Sequence, residues 1–148
     1  MATLEDALIL ATEAHRGILD KGGACYILHP IRLMGKMETE DERLVALLHD
    51  VVEDTEWTLE GLHGKGFSKR VVEAIGCLTR RPNESYEEFI GRSKSNPLAR
   101  KVKLADIEDN MDVRRLAEIN ESDLERLRRY QDARHVLLSA VGKPQTTK

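Results

Sequence analysis

An all-α, single-domain fold is what this sequence predicts, and three observations predict it. Apolar residues recur at three- and four-residue spacing along most of the chain, capping residues stand ahead of those runs, and no stretch alternates convincingly as a strand would. At 148 residues the chain is the size of one domain. With 41% hydrophobic and 33% charged residues it can bury a core without disulfide staples. The expected architecture is a helical bundle of about seven or eight helices in residues 1–141, with 142–148 as a flexible tail.

Each element has its own signal. Thr3 and Asp6 resemble a capping box, after which Leu4, Ala7, Leu8, Ala11, Ala14 and Ile18 share one face. Gly17 and the Lys21-Gly22-Gly23 turn end this helix. Pro30 fits the first turn of a short helix reaching Met37, where a missing N–H costs nothing. Asp41 to Asp54 reads as one helix, with Leu44, Leu47, Leu48, Val51 and Val52 on its apolar face. Thr58 starts a short segment stopped by Gly64 or Gly66. Ser68 caps the next, which carries Val71, Val72, Ile75 and Leu78. Ser85 to Glu88 forms a capping box, and Asn96-Pro97 supplies an N-cap and N1 proline for a long helix towards Ala117. Ser122 to Glu125 forms another box, opening a helix that runs to about Val141.

Composition removes several function classes. The apolar runs, such as Leu44 to Leu48, are too short to cross a membrane. The first residues carry Glu5 and Asp6 and no basic segment, so no secretory signal is expected. Cys25 and Cys77 lack finger spacing and are too few for a disulfide scaffold, which fits a reducing cytoplasm. A net charge of −3 gives no basic footprint for nucleic acid. Charge is unevenly spread, however: Glu38 to Glu60 is acidic with Arg43 as its one base, and Gly61 to Lys103 is basic. Two solvated helix faces would explain that, and so would carboxylates holding a cation beside bases holding phosphate.

The chemistry-bearing constellation lies at the end of an apolar helical run. His49-Asp50 is followed by Glu53-Asp54 at i+4 offsets, so four ionisable groups line adjacent stripes of a helix built for burial. Buried carboxylates need a cation or other partners. His29, just before Pro30, and Asp106, with Asn110 one turn further on, are candidates to complete a site. Taken singly, His49 reads as a satisfied core histidine and Asp106 as an acid neutralising a base such as Lys103. Taken together, His29, His49, Asp50 and Asp106 form a nitrogen and oxygen set without thiolates, which suits Mn²⁺ or a similar ion better than structural zinc.

In these motifs the chain resembles the HD-type hydrolase domain of the RelA/SpoT family, and more closely the single-domain small alarmone hydrolases. The resemblance runs through Tyr26-Ile27-Leu28-His29-Pro30, through Leu48-His49-Asp50 with Glu53-Asp54-Thr55, and through Lys103-Leu104-Ala105-Asp106 with Asn110. It covers about Leu4 to Leu138. It implies that His29, His49, Asp50 and Asp106 bind Mn²⁺, that Glu53 and Asp54 work on the hydrolytic water, and that Asn110 and Tyr130 touch the nucleotide. The implied reaction removes pyrophosphate from the 3′ position of guanosine tetra- or pentaphosphate. Cations facing the phosphoryl oxygens would come from Lys21, Arg80, Arg81, Lys101 or Lys103. His15 reads as structural.

One segment departs from the family. Where bifunctional members carry an Arg-Lys-Ser-Gly type run, this chain has Asp20-Lys21-Gly22-Gly23, keeping Lys21 and Gly23. Asp20 either changes the purine preference, admitting adenine alarmones, or simply caps its turn. The expected partner is a small nucleotide, with no nucleic acid and no membrane; the oligomeric state stays open, a homodimer included. Competing readings are a related phosphohydrolase acting on other nucleotides or NADPH, and a non-catalytic nucleotide sensor. The Glu53-Asp54 pair speaks against the sensor, which has no need to activate water.

Overall fold

The computed structural model describes residues 1–139, so the expected tail, and the end of the last helix at about Val141, lie outside the described residues. Among the described residues nine α-helices follow one another: α1 (Leu4–Ala14), α2 (Leu28–Gly35), α3 (Glu40–Leu48), α4 (Val51–Asp54), α5 (Leu59–Gly64), α6 (Lys69–Cys77), α7 (Tyr86–Ser95), α8 (Pro97–Asn110) and α9 (Glu121–Leu138). A short 3-10 turn, Val113–Arg115, joins the last two. The described residues hold no strand beyond an isolated antiparallel bridge between Leu19 and Cys25. None of their helices is long and apolar enough to cross a membrane.

Helix α3 is the hub. Five successive residues, Leu44 to Leu48, are buried, and a helix apolar all round must sit among others. It packs against α1, α2, α6 and α8. Leu33, Val71, Ile75, Ala99 and Val102 fill this main core. Each fully buried Leu or Ile contributes about 1.5–3 kcal/mol. A second, smaller cluster joins Ile90 of α7, Ile107 of α8, and Ala133 and Leu137 of α9, with Tyr130 packed on its edge. Helix α8 serves both clusters, and its polar residues Asp106 and Asp109 are buried in the same helix.

Four elements differ from the expected boundaries. The single helix over Asp41 to Asp54 is two helices, broken at His49-Asp50. The cause is local: His49 Nδ1 donates to Ala46 O at 2.7 Å, the carbonyl that the Asp50 N–H would take in an unbroken helix. The first helix ends at Ala14, short of Ile18, and the chain turns through Gly17 at φ +80°. Helix α8 stops at Asn110 instead of continuing towards Ala117, because Asp112 captures the Arg114 N–H and starts the 3-10 turn. Helix α9 is capped by a box between Asn120 and Asp123, two residues ahead of the expected Ser122. The Thr3–Asp6 box forms on both sides, whereas Ser85 makes its half of a box alone.

Candidate active site

The helix break at His49 is also the centre of the site. Donating Nδ1–H to a backbone carbonyl fixes the ring's orientation and leaves the lone pair of the neutral ring on Nε2. That nitrogen is buried and has no hydrogen-bond partner among the described residues. It lies 3.0 Å from Asp50 Oδ2 and 3.6 Å from Asp106 Oδ1. His29, on α2, repeats the arrangement: Nδ1–H donates to Asp109 Oδ2 at 2.6 Å, and Nε2 faces Asp106 Oδ1 at 2.9 Å. A nitrogen lone pair pointing at a carboxylate is repulsive unless a proton or a cation lies between them.

Ligand atoms of His29, His49 and Asp106 lie within 4.8 Å of one another. Asp50 adjoins this trio through His49, its Oδ2 also accepting from the Tyr26 hydroxyl. Two imidazole nitrogens with second nitrogens already committed, and carboxylates without thiolates, form a set suited to a divalent cation. The residues fit one.

Braces surround the trio. Arg32 grips Asp109 through Nε and Nη2, at 2.8 and 2.9 Å, so the carboxylate orienting His29 is itself held. Lys103 Nζ sits 2.9 Å from Asp106 Oδ2 and 4.8 Å above the Phe89 ring. Burial alone would raise the Asp106 carboxyl, but Lys103 and the two imidazoles outweigh it and hold the group well below its ordinary range. Asn110 Nδ2 donates to Asp106 Oδ1 at 3.1 Å. Across the site, Glu53 and Asp54 on α4 are raised above their ordinary range, first by burial and then by the charge of Asp50. Helix α4 thus places two carboxylates with proton affinity beside the trio.

Two cavities open from here. One, of about 320 Å³, is walled by Asp50, Glu53, Asp54, Asp106, Lys103 and Arg80. The other, of about 380 Å³, shares Asp54, Asn110 and Tyr130 with it and extends to Lys21 and Arg115. Lys21 is pushed below its ordinary value by burial and by Arg126. The expected ligands, the Glu53-Asp54 pair, and Lys21, Asn110 and Tyr130 therefore all lie in the trio or line one of these cavities. Among the basic candidates, Lys101 is instead tied to Glu42 at the start of α3, and Arg81 offers its backbone N–H to Glu84. Asp20 caps its turn, its Oδ1 accepting from Gly22 N at 2.8 Å and Ala24 N at 3.0 Å. His15 is buried against the Tyr26 ring at 4.8 Å, and burial lowers its pKa.

Sequence reasoning passed over Asp109, Arg32, Tyr26 and Arg115. Asp109 had a signal, since it follows Asp106 by three residues on one helix. Tyr26 stands three residues before His29 in a recognised motif. Arg32 and Arg115 had none, because their partners come from distant segments.

No protein-family model matches the sequence. The chain is 31% identical over 110 residues to a guanosine-3′,5′-bis(diphosphate) 3′-pyrophosphohydrolase of Vibrio cholerae, a match covering 72% of the chain and 15% of that protein. It is 37% identical over 84 residues to the bifunctional (p)ppGpp synthase/hydrolase SpoT of Escherichia coli, covering 52% of the chain and 12% of the relative. The chain therefore spans 15% or less of the length of these two curated relatives. A solved structure described as a metazoan ortholog of SpoT that hydrolyzes ppGpp superimposes with a TM-score of 0.75 at 22% identity, covering 94% of this chain and 86% of that one. At that identity the likeness speaks for the fold. By sequence and by fold together, the chain is related to the HD-type hydrolase domain of the RelA/SpoT family.

Proposed function

We propose that the chain is a Mn²⁺-dependent hydrolase that removes pyrophosphate from the 3′ position of a guanosine tetra- or pentaphosphate, acting on free nucleotide in the cytoplasm. One observation carries the reading: the buried, unpartnered Nε2 of His49 faces the carboxylates of Asp50 and Asp106, beside a second acidic pair that has no salt-bridge partner among the described residues. The names of the curated relatives support the substrate class.

The residues divide the work by position. His29, His49, Asp50 and Asp106 would hold the ion, and bound there it supplies Lewis acidity towards a phosphoryl oxygen and the attacking water. Glu53 and Asp54 orient that water and take its proton. The water oxygen forms a bond to the 3′-linked phosphorus, the bond from that phosphorus to the 3′ oxygen breaks, and a proton ends on the 3′ hydroxyl. A tetraphosphate thus yields GDP and pyrophosphate. Lys103 and Arg80 face the charge developing on the phosphoryl oxygens, while Lys21, Asn110 and Tyr130 contact the nucleotide.

The test is a screen of purified protein with Mn²⁺ against 3′-pyrophosphorylated guanine and adenine nucleotides and NADPH, read by anion-exchange chromatography. Release of pyrophosphate from the guanine substrate is the expected result. Turnover of NADPH alone, or of no nucleotide, overturns the reading.

A further inference from the structure

The larger cavity is closed on its far side by a contact that only glycine permits. Gly22 lies so near the 3-10 turn that a Cβ on it would stand 2.6 Å from Arg115 O and 3.3 Å from Arg115 Cβ. This approach brings the Arg115 side chain to the cavity wall, 24% exposed, with Nη1 3.7 Å from Asp20 Oδ2. Arg115 Nε donates to Asp112 O at 3.3 Å, and Nη2 has no partner among the described residues. Asp20 does not absorb the guanidinium: its Oδ2 stands at 3.7 Å, beyond hydrogen-bond distance, and its Oδ1 is turned to two backbone N–H groups. The guanidinium is therefore positioned but not saturated. Beside it, Ile18, Leu116 and Leu127 give the cavity apolar walls suited to a flat ring.

We propose that Arg115 reads the purine of the substrate and sets a preference for guanine over adenine. Guanine presents two adjacent acceptors, O6 and N7, which a guanidinium fork matches. Adenine replaces O6 with an amine, so a donor would meet a donor. The inference rests on reading the neighbouring centre as a nucleotide phosphohydrolase, yet it can be tested without turnover.

Calorimetric titration of the full chain with GDP and with ADP reads the preference directly. Wild type is expected to bind GDP at least about tenfold more tightly than ADP. Arg115→Met brings GDP affinity down to that of ADP, and Arg115→Lys does not restore it, since an ammonium offers no fork. Gly22→Ala leaves the arginine in place but pushes its backbone away, and weakens GDP with little effect on ADP. Arg115 is part-exposed, so Arg115→Met carries the test even where Gly22→Ala disturbs the turn. An unchanged ratio of GDP to ADP affinity in Arg115→Met overturns the assignment. Selective GDP binding lost in Arg115→Met, without hydrolysis of any nucleotide, sinks the phosphohydrolase reading and leaves Arg115 standing. Pyrophosphate release with equal use of guanine and adenine does the reverse.

Discussion

At the His49 end of the cleft, charged and polar side chains are buried and braced by others: His49 by Ala46 O, His29 by Asp109, Asp109 by Arg32, Asp106 by Lys103. At the Arg115 end, by contrast, Asp20 and Lys21 sit on a turn and Arg115 on a 3-10 segment, Asp123 and Arg126 of α9 pair with each other, and Arg115 keeps unspent donors. The difference follows from desolvation. A cluster of carboxylates and imidazoles inside a helical core is costly unless compensated, so most of the first end is fixed by a dense hydrogen-bond network, which leaves His49 Nε2 open. An end built to take a flat ring would need apolar walls and a few directed donors; Ile18, Leu116 and Leu127 line this one, and the close approach at Gly22 sets Arg115 beside them.

The largest expected effect separates the two ends most clearly. His49→Ala or Asp50→Ala should abolish both bound metal and turnover, whereas Arg115→Met should leave bound metal untouched. Elemental analysis decides this, and full metal content in either of the first two variants removes them from the ligand set. Next, Glu53→Gln or Asp54→Asn should keep the metal and slow turnover by roughly 10²-fold or more. Wild-type rates in both would reduce the pair to structural groups. Smaller again is Asp109→Asn, which loosens the His29 ring without removing a ligand. Metal affinity should fall about 10- to 100-fold, with turnover recovering at saturating metal. Competition titration against a chelator measures it, and unchanged affinity means that Asp109 does not orient His29.

The smallest effect lies outside both ends. Arg92 ties the segment bearing Arg80 to α7, bonding Gly76 O, Thr79 O and the Glu84 carboxylate. The Arg92 hydrogen bond holds the Glu84 carboxyl at about 2. A carboxyl lowered by folding stabilises the fold above its ordinary pKa, and that contribution is lost as pH falls towards the folded value. Acid unfolding of wild type should therefore show a loss between about pH 4.5 and 2 that Glu84→Gln lacks. Superimposable acid transitions would mean that the clamp carries no stability.

How far each end was legible in the sequence follows from the same contrast. The all-helical fold could be read because the apolar spacing of α1, α3 and α6 is long and regular and several N-caps stand in place. The cluster at the His49 end was legible because compensation of buried charge concentrates ionisable residues at helical spacing, as in His49, Asp50, Glu53 and Asp54. The break at His49 was not legible. Its cause is a side-chain bond to Ala46 O, invisible to periodicity, and it converts one expected helix into two. The early stop of α8 has the same character, since Asp112 competes locally for a backbone N–H. The Arg115 end was legible only as a departure at Asp20 and Gly22. The role of Gly22 depends on a segment some ninety residues away, where no local pattern points back to it.

The coupling of metal to chemistry is the claim on which the rest depends. Metal-stripped protein should be titrated with Mn²⁺ while bound ion and pyrophosphate released from guanosine 3′,5′-bis(diphosphate) are measured in the same samples. The two should rise together and saturate at one ion per chain, and neither should rise in His49→Ala. Full-rate pyrophosphate release from the stripped protein, or a fully loaded wild type that releases none, would contradict a metal-centred 3′-pyrophosphohydrolase.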